Sequence, residues 1–296
     1  MKSAKGRLLI FSALSLFIAT IIIFFIIETS SQVIETKDII ANNVSISYLE
    51  NEWITINAGP YTFGNPAKTH NDIDYAYEIM KYEVTNNQYT EFLNTMLIED
   101  KIKIESYVIG FYSGDTKQDS GWYQFFNFED TLDTPIRLID SVFFVVKGFE
   151  YHPVVEVSWF GANAYAEYHR ISLPTEYEWE KAARGKLGKR YPWGEAPPNC
   201  DLATFINCSS KTTPIGATIG ASPYGVYDMA GNVFEWTSSF WDNASAGYVI
   251  KGGSWSGLPS FMYTFNRYKY GFNNGLSGNN VGFRCIKRLK KAMSPA

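Results

Sequence analysis

Histidine and cysteine are scarce, with three of each in 296 residues. That leaves few ways to gather several imidazoles and thiolates around one metal. Charge is also sparse: 19% of residues are charged, and the formal net charge is −4. No cationic excess is present to track a phosphate backbone, which argues against a nucleic-acid partner. No internal repeat, serine triad or zinc spacing occurs, and Gly252-Gly253 is not followed by the lysine and serine of a phosphate loop. What abounds instead is apolar and aromatic surface, 46% and 17% of the chain, with 23 Gly and 12 Pro. This excludes a disordered chain or a coiled coil. The length suffices for a sizeable core. The balance points to a loop-rich body in which large flat side chains fill irregular gaps.

The N-terminus carries the one long hydrophobic run. Leu8 to Ile27 contains no charge, and its only hydroxyl side chains are Ser12, Ser15 and Thr20. As a helix it spans about 30 Å, enough to cross a hydrocarbon core. Lys2, Lys5 and Arg7 precede it and Glu28 follows. The positive-inside rule then keeps residues 1–7 cytoplasmic, makes 8–27 a signal anchor and exports the rest to the periplasm, lumen or exterior. A cleaved signal peptide is the competing reading; its apolar core is usually shorter, about 7–15 residues, and Thr29-Ser30-Ser31 is a weak cleavage site. Residues 28–50 read as a polar stalk, and the body is expected over 51–290.

An exported body sits where disulfides persist. Three cysteines allow three pairings; Cys200 and Cys208, close in sequence, are the favoured pair. Cys285 is then a free thiol, expected to be buried.

Along the body, Trp53 to Phe63 reads as a strand ending in a turn at Gly64-Asn65-Pro66, and Tyr75 to Val84 as a second strand. A helix is expected over Gln88 to Met96, with Thr85 or Asn86 as N-cap and Tyr89, Phe92 and Leu93 on one face. Residues 97–149 are the least patterned and read as a variable insertion or long loops. Val154, Val155 and Val157 suggest a short strand, and Ser158 caps a helix carrying Ala162, Ala164, Tyr165 and Tyr168. Thr175 and Glu178 form a capping box for a third helix that stops at Gly185. From Tyr191 onward, short aromatic and glycine-rich segments dominate. The sum is an α+β fold with two or three helices, short strands and long loops, preceded by one transmembrane helix.

Several segments carry a resemblance. They are Tyr82-Glu83-Val84-Thr85-Asn86, His152-Pro153-Val154-Val155, Leu173-Pro174-Thr175-Glu176-Tyr177-Glu178-Trp179-Glu180, Tyr191-Pro192-Trp193-Gly194, Asp228-Met229-Ala230-Gly231-Asn232-Val233-Phe234-Glu235-Trp236, Gly252-Gly253-Ser254-Trp255 and Gly282-Phe283-Arg284-Cys285. Their order and spacing resemble the formylglycine-generating enzyme family, or sulfatase-modifying factors, over about Trp53 to Cys285. The resemblance implies an irregular C-type-lectin-like fold. Active members oxidise a substrate cysteine to formylglycine with oxygen and copper, and two cysteine thiolates, soft ligands, hold Cu(I). Those two positions fall on Gly257 and Met262, while the Ser254 position is retained. One thioether does not replace two thiolates, so copper is not expected. In some relatives the cysteine at the Cys285 position pairs with one near Ala183; no such cross-link is possible here. Related iron oxygenases of ergothioneine-type synthesis need a histidine-rich site. His70, His152 and His169 are too few, and His152 is expected to be a structural hydrogen-bonder.

The resemblance also implies one structural calcium, held by the side chains of Asp228 and Glu235 and the carbonyls of Gly231 and Val233, with Glu83 adding a carboxylate. Oxygen donors of this kind suit calcium. Alternatively these acids satisfy backbone amides. A second family site needs an asparagine where Thr204 stands, so it is not expected. Phe261, Tyr263, Phe265, Tyr268, Tyr270 and Phe272 follow the lost copper positions and either pack or line a groove for a peptide or glycan. Asn43, Asn207 and Asn243 begin N-x-Ser sequons, which matter only in a eukaryotic secretory route.

Three functions are compatible with these readings. The favoured one is a membrane-anchored, extracytoplasmic family member without copper oxidase activity, a pseudoenzyme that binds or assembles a protein, peptide or glycan partner. The second is an oxidoreductase using another constellation. The third is a structural subunit of a membrane complex.

Overall fold

The computed structural model describes residues 52–66, 68–70, 73–128, 134–242, 247–270 and 278–289. All belong to the unit Asn51–Ala296. The expected anchor and stalk lie outside the described residues, as do Asn43, Asn243 and Phe272. Among the described residues no helix is long and apolar enough to cross a membrane.

Three helices begin where side-chain caps were legible. Helix α1 (Asn86–Ile98) starts at Thr85, whose hydroxyl accepts from the Gln88 amide while the Gln88 side chain accepts from Thr85 N–H. Helix α2 (Trp159–Tyr168) starts at Ser158, which accepts from Gly161 N–H at 3.1 Å. Helix α3 (Glu176–Arg184) has the Thr175/Glu178 box and ends at Gly185, with φ of 64°. These bonds satisfy amides that a helix start leaves without partners.

Among the described residues the strands are short and fall into five small sheets. Strands β1 (Trp53–Ile56), β4 (Tyr77–Met80) and β14 (Ile286–Arg288) form one antiparallel sheet, with β4 central. Ile79 of β4 faces Ile54 on one side and Ile286 on the other. The second sheet contains β10 (Phe234–Phe240), β11 (Tyr248–Lys251), β12 (Tyr268–Tyr270) and β13 (Val281–Gly282), in the order β12-β11-β10-β13. Here β13 lies parallel to β10, bringing Gly282 opposite Glu235. A hairpin of β2 (Tyr61–Phe63) and β3 (Lys68–His70) lies against α3. Between Gly185 and Val233 the chain has no helix or strand. The expected disulfide Cys200–Cys208 is formed in this stretch, with Cα atoms 5.3 Å apart.

Three expectations change. Residues 97–149 are not long loops: they build β5 (Ile102–Ile104), β6 (Val108–Tyr112) and β7 (Gly121–Phe126) as one antiparallel sheet, and the hairpin of β8 (Ile136–Ile139) and β9 (Val142–Val145). Phe125, Phe126 and Phe143 from this region enter the main core beside Tyr89, Phe92 and Tyr165. Alternation is present, as in the inward Val108, Gly110 and Tyr112, but over runs too short to register as a pattern. Val154 to Val157 is not a strand. The segment 153–157 makes only isolated bridges, Thr85 with Pro153 and Phe126 with Val157, because Glu156 at φ 59° breaks the extended path. The stretch Trp53 to Phe63 divides into β1 and β2 at Gly59, which adopts φ of 123°.

Candidate functional site

The segments singled out by motif converge around two turns. The first is Gly252-Gly253-Ser254-Trp255, which leaves β11. Gly253 has φ of 80°, and a Cβ there would lie 2.8 Å from Met262 Cγ. Ser254 is fully buried, and its carbonyl accepts from Gly257 N–H at 2.9 Å. Met262 ends the 3₁₀ turn Pro259–Met262 and is fully buried beside Tyr191, Ala203 and Ala230. Met262, where the resemblance puts a second thiolate in active members, is thus taken up by core packing. Gly257, the other position, accepts through its carbonyl from Ile206 N–H at 3.1 Å.

The second turn is Asp228 to Asn232, just before β10. Asp228, Gly231 and Asn232 all have positive φ, of 59°, 87° and 56°. A Cβ on Gly231 would meet the Thr204 carbonyl at 2.2 Å, so only glycine fits. Thr204 itself serves this turn: its carbonyl accepts from Asn232 N–H at 2.8 Å, and its hydroxyl lies 2.7 Å from that of Thr213.

Four charged side chains are buried behind this turn: Glu83, Asp228, Glu235 and Arg284. Arg284 grips Glu235 in a fork, Nε donating to Oε2 at 2.7 Å and Nη2 to Oε1 at 2.8 Å. Trp179 Nε1 donates to the same Oε2 at 2.8 Å. The other guanidinium hydrogens go to the carbonyls of Met80, Lys81 and Tyr227. Asp228 accepts from Gly216 N–H at 2.6 Å and from the Thr218 hydroxyl at 3.3 Å. Glu83 Oε2 accepts from Asn232 Nδ2 at 3.1 Å, while Glu83 Oε1 is buried without a partner. Burial lifts Asp228 to about 6, against the hydrogen bond from Gly216. Burial, and then the Asp228 carboxylate, push Glu83 well above the usual carboxylate range. Sequence reasoning named the three acids but missed Arg284 as their counter-ion. The signal available was a lone arginine among Val281, Phe283 and Ile286. Among the described residues, no three His, Cys, Asp or Glu side chains come together in a metal-ready group.

Among the described residues, the aromatic side chains from Phe261 to Tyr270 do not form one wall. Phe261 packs on Tyr268, which packs on Phe234, while Tyr270 packs on Trp236. Tyr263 turns away to Tyr191 and Phe265, and Arg184 lies over the Phe265 ring. The histidines are likewise dispersed. His70 lies against Tyr61 and Phe63, His169 against Tyr165 and Tyr168. His152 is buried with Nδ1 2.9 Å from the Thr212 hydroxyl, and burial lowers its pKa. Cys285 is a buried free thiol whose pKa burial raises strongly.

An open pocket of about 220 Å³ lies beside the first turn. Pro135, Pro153 and Val155 form its floor; Phe149 and Trp255 are its walls; Ser210, Lys211, Thr212 and Asn279 edge it. The 97–149 region thus helps to build this pocket, through Pro135 and Phe149.

Comparison with known proteins agrees with this arrangement. Residues 44–289 match the family model described as the sulfatase-modifying factor enzyme 1-like domain. The serine/threonine-protein kinase Pkn1 of Chlamydia trachomatis is 31% identical, across 71% of this chain and 33% of its own length. The inactive C-alpha-formylglycine-generating enzyme 2 of Bos taurus is 36% identical, across 45% of this chain and 49% of its own. The chain thus spans half or less of the length of these relatives. Among solved structures, PvdO from Pseudomonas aeruginosa superimposes with a TM-score of 0.56 at 20% identity. That match covers 80% of this chain and 94% of PvdO and is a likeness of fold. With the family model matched over residues 44–289, which span the whole described body, the chain belongs to the sulfatase-modifying-factor family.

Proposed function

We propose that this is a membrane-anchored, extracytoplasmic member of the family, of the lectin-like type, that binds or assembles a protein, peptide or glycan partner and has no copper-dependent formylglycine chemistry. One observation carries the reading: the two positions that hold copper in active relatives are Gly257 and Met262, and Met262 is sealed in the core. Neither side chain forms a thiolate, and a buried thioether in an apolar cluster is a poor site for a metal that must also meet oxygen and substrate. The 36% identical bovine relative is itself named inactive.

The test is oxygen uptake with Cu(I) and a cysteine-containing peptide. Wild-type protein is expected to show none above a denatured control. The paired substitution Gly257→Cys and Met262→Cys is expected to gain Cu(I) binding. Stoichiometric oxygen consumption by the wild type would instead support an oxidoreductase with another constellation.

The same reading includes a structural calcium. Glu83, Asp228 and Glu235 carry three negative charges against the single positive charge of Arg284. All four are buried, so a divalent cation or two protons must balance them. Glu83 Oε1, buried and unpartnered, and the Asp228 carboxylate are hard oxygen donors of the right kind. Glu235 is already committed to Arg284 and Trp179. Glu83 and Asp228 would therefore hold the ion, with carbonyls of the Gly231–Val233 turn, and Glu235 would anchor the turn.

A further inference from the structure

The pocket beside Trp255 has a chemistry that the copper positions and the buried acids do not use. Its floor is apolar and buried: Pro135, Pro153 and Val155 offer no side-chain hydrogen bond. Its walls are two aromatic rings, Phe149 and Trp255. Among the described residues its only charge is at the rim, where Lys211 Nζ rests 4.4 Å from the centre of the Phe149 ring. The ring keeps this exposed ammonium beside one aromatic wall of the pocket. Among the described residues no carboxylate is paired with it, and Glu150 nearby accepts from Gly148 N–H instead.

The walls are fixed by backbone bonds in separate segments. Val146 N–H donates to the Pro135 carbonyl, Val154 N–H to Val84, and Trp255 N–H to Asn232, at 2.8, 2.9 and 2.8 Å. The Trp255 indole donates to the Asn279 carbonyl at 3.1 Å, and His152 steadies the Thr212 hydroxyl. A site ordered before its ligand arrives loses less entropy on binding.

This deepens, and rests on, the reading of the body as a binding module. We propose that the pocket accepts an apolar side chain carried next to a carboxylate, as in an acidic peptide segment, with Lys211 meeting the carboxylate. The volume suits one apolar side chain. A sugar ring fits worse, because hydroxyls pressed on this floor would lose their water partners without replacement.

The probe is N-acetyl-L-phenylalanine, compared with its uncharged amide and with a neutral methyl glycoside. Binding to the full-length chain in lipid nanodiscs is followed by saturation-transfer NMR and titration. The acid is expected to bind roughly fivefold more tightly than the amide, the scale of one exposed charge pair. Lys211→Gln should erase that difference, and Ser210→Trp, a bulky change at an exposed rim position, should block both ligands. Circular dichroism checks that both variants remain folded. Equal binding of acid and amide to the wild type, or binding of the glycoside alone, overturns the assignment. No binding of the acid, in a protein that also consumes no oxygen, overturns the pocket assignment and leaves the binding-module reading standing.

Discussion

Arg284 shows how much a single side chain carries here. Its fork to Glu235 is fully buried on both sides, so removing one partner strands the other charge. Arg284→Ala is expected to cost about 3–5 kcal/mol, whereas the paired change Arg284→Met with Glu235→Gln should cost much less. Urea denaturation followed by tryptophan fluorescence measures both, and equal losses would show that the fork adds nothing beyond packing. The acids at Glu83, Asp228 and Glu235 are legible in the sequence because their motifs are local. Their counter-ion is not, since Arg284 lies far along the chain and only the parallel pairing of β13 with β10 brings it alongside. Met262 is a parallel case. The resemblance sets it where active relatives carry a thiolate, but its burial beside Tyr191 depends on the path of the 185–233 stretch, which has no periodicity to read.

At the scale of elements, the helix caps were the most legible feature, because a capping box needs only four consecutive residues. The short strands were the least, because runs of three to five residues carry too little alternation. Gly161 illustrates where local propensity gives the wrong sign. Within α2, alanine is normally favoured over glycine by about 1 kcal/mol. Here a Cβ would lie 2.2 Å from the Phe125 carbonyl of β7 and 2.6 Å from the Tyr89 hydroxyl. Backbone cannot yield as a flexible side chain does. Gly161→Ala is therefore expected to destabilise by about 1–3 kcal/mol, read as a lower denaturation midpoint. An unchanged or raised midpoint would mean that α2 and β7 are less closely packed.

The disulfide belongs to the same scale, because the stretch it closes braces both turns. Thr204 holds Asn232 and Ile206 holds Gly257. Loop-closure entropy for so short a ring gives about 2.5 kcal/mol. Cys200→Ser with Cys208→Ser should lower stability by that order. It should also increase hydrogen exchange at the amides of Ile206, Asn232 and Gly257 more than in the β1–β4–β14 sheet. Uniform exchange across both regions would show that the loop is no brace.

For the whole molecule, the buried acids set a dependence on pH. Asp228 is raised from 3.8 to about 6, and Glu83 is raised as well. At Asp228 the folded chain then holds a proton that the unfolded chain releases between about pH 4 and 6. Its contribution to stability is therefore highest below that window and falls as pH rises through it, by about 1.4 kcal/mol per pH unit, and Glu83 acts in the same direction. In chelator, the melting temperature should drop between pH 5 and pH 7. Calcium at pH 7 should restore it, by supplying the charge the protons no longer provide. A calcium-indifferent melting temperature at pH 7 would remove the metal from the proposal. The α+β class and its irregularity were legible from composition and cap spacing. How β10 to β14 interleave was not, since such pairings are set by contacts remote in sequence.

The sheet that joins β1, β4 and β14 has a consequence for how the protein is made. Its first strand begins at Trp53 and its last ends at Arg288, and the segment just before that last strand brings Arg284 to the waiting Glu235. During synthesis the body therefore lacks both an edge of that sheet and the neutralising charge until residues 284–288 have emerged. Non-local closure of this kind is slow. Until those residues emerge, the β4 edge and the buried acids of the nascent body stay open to water.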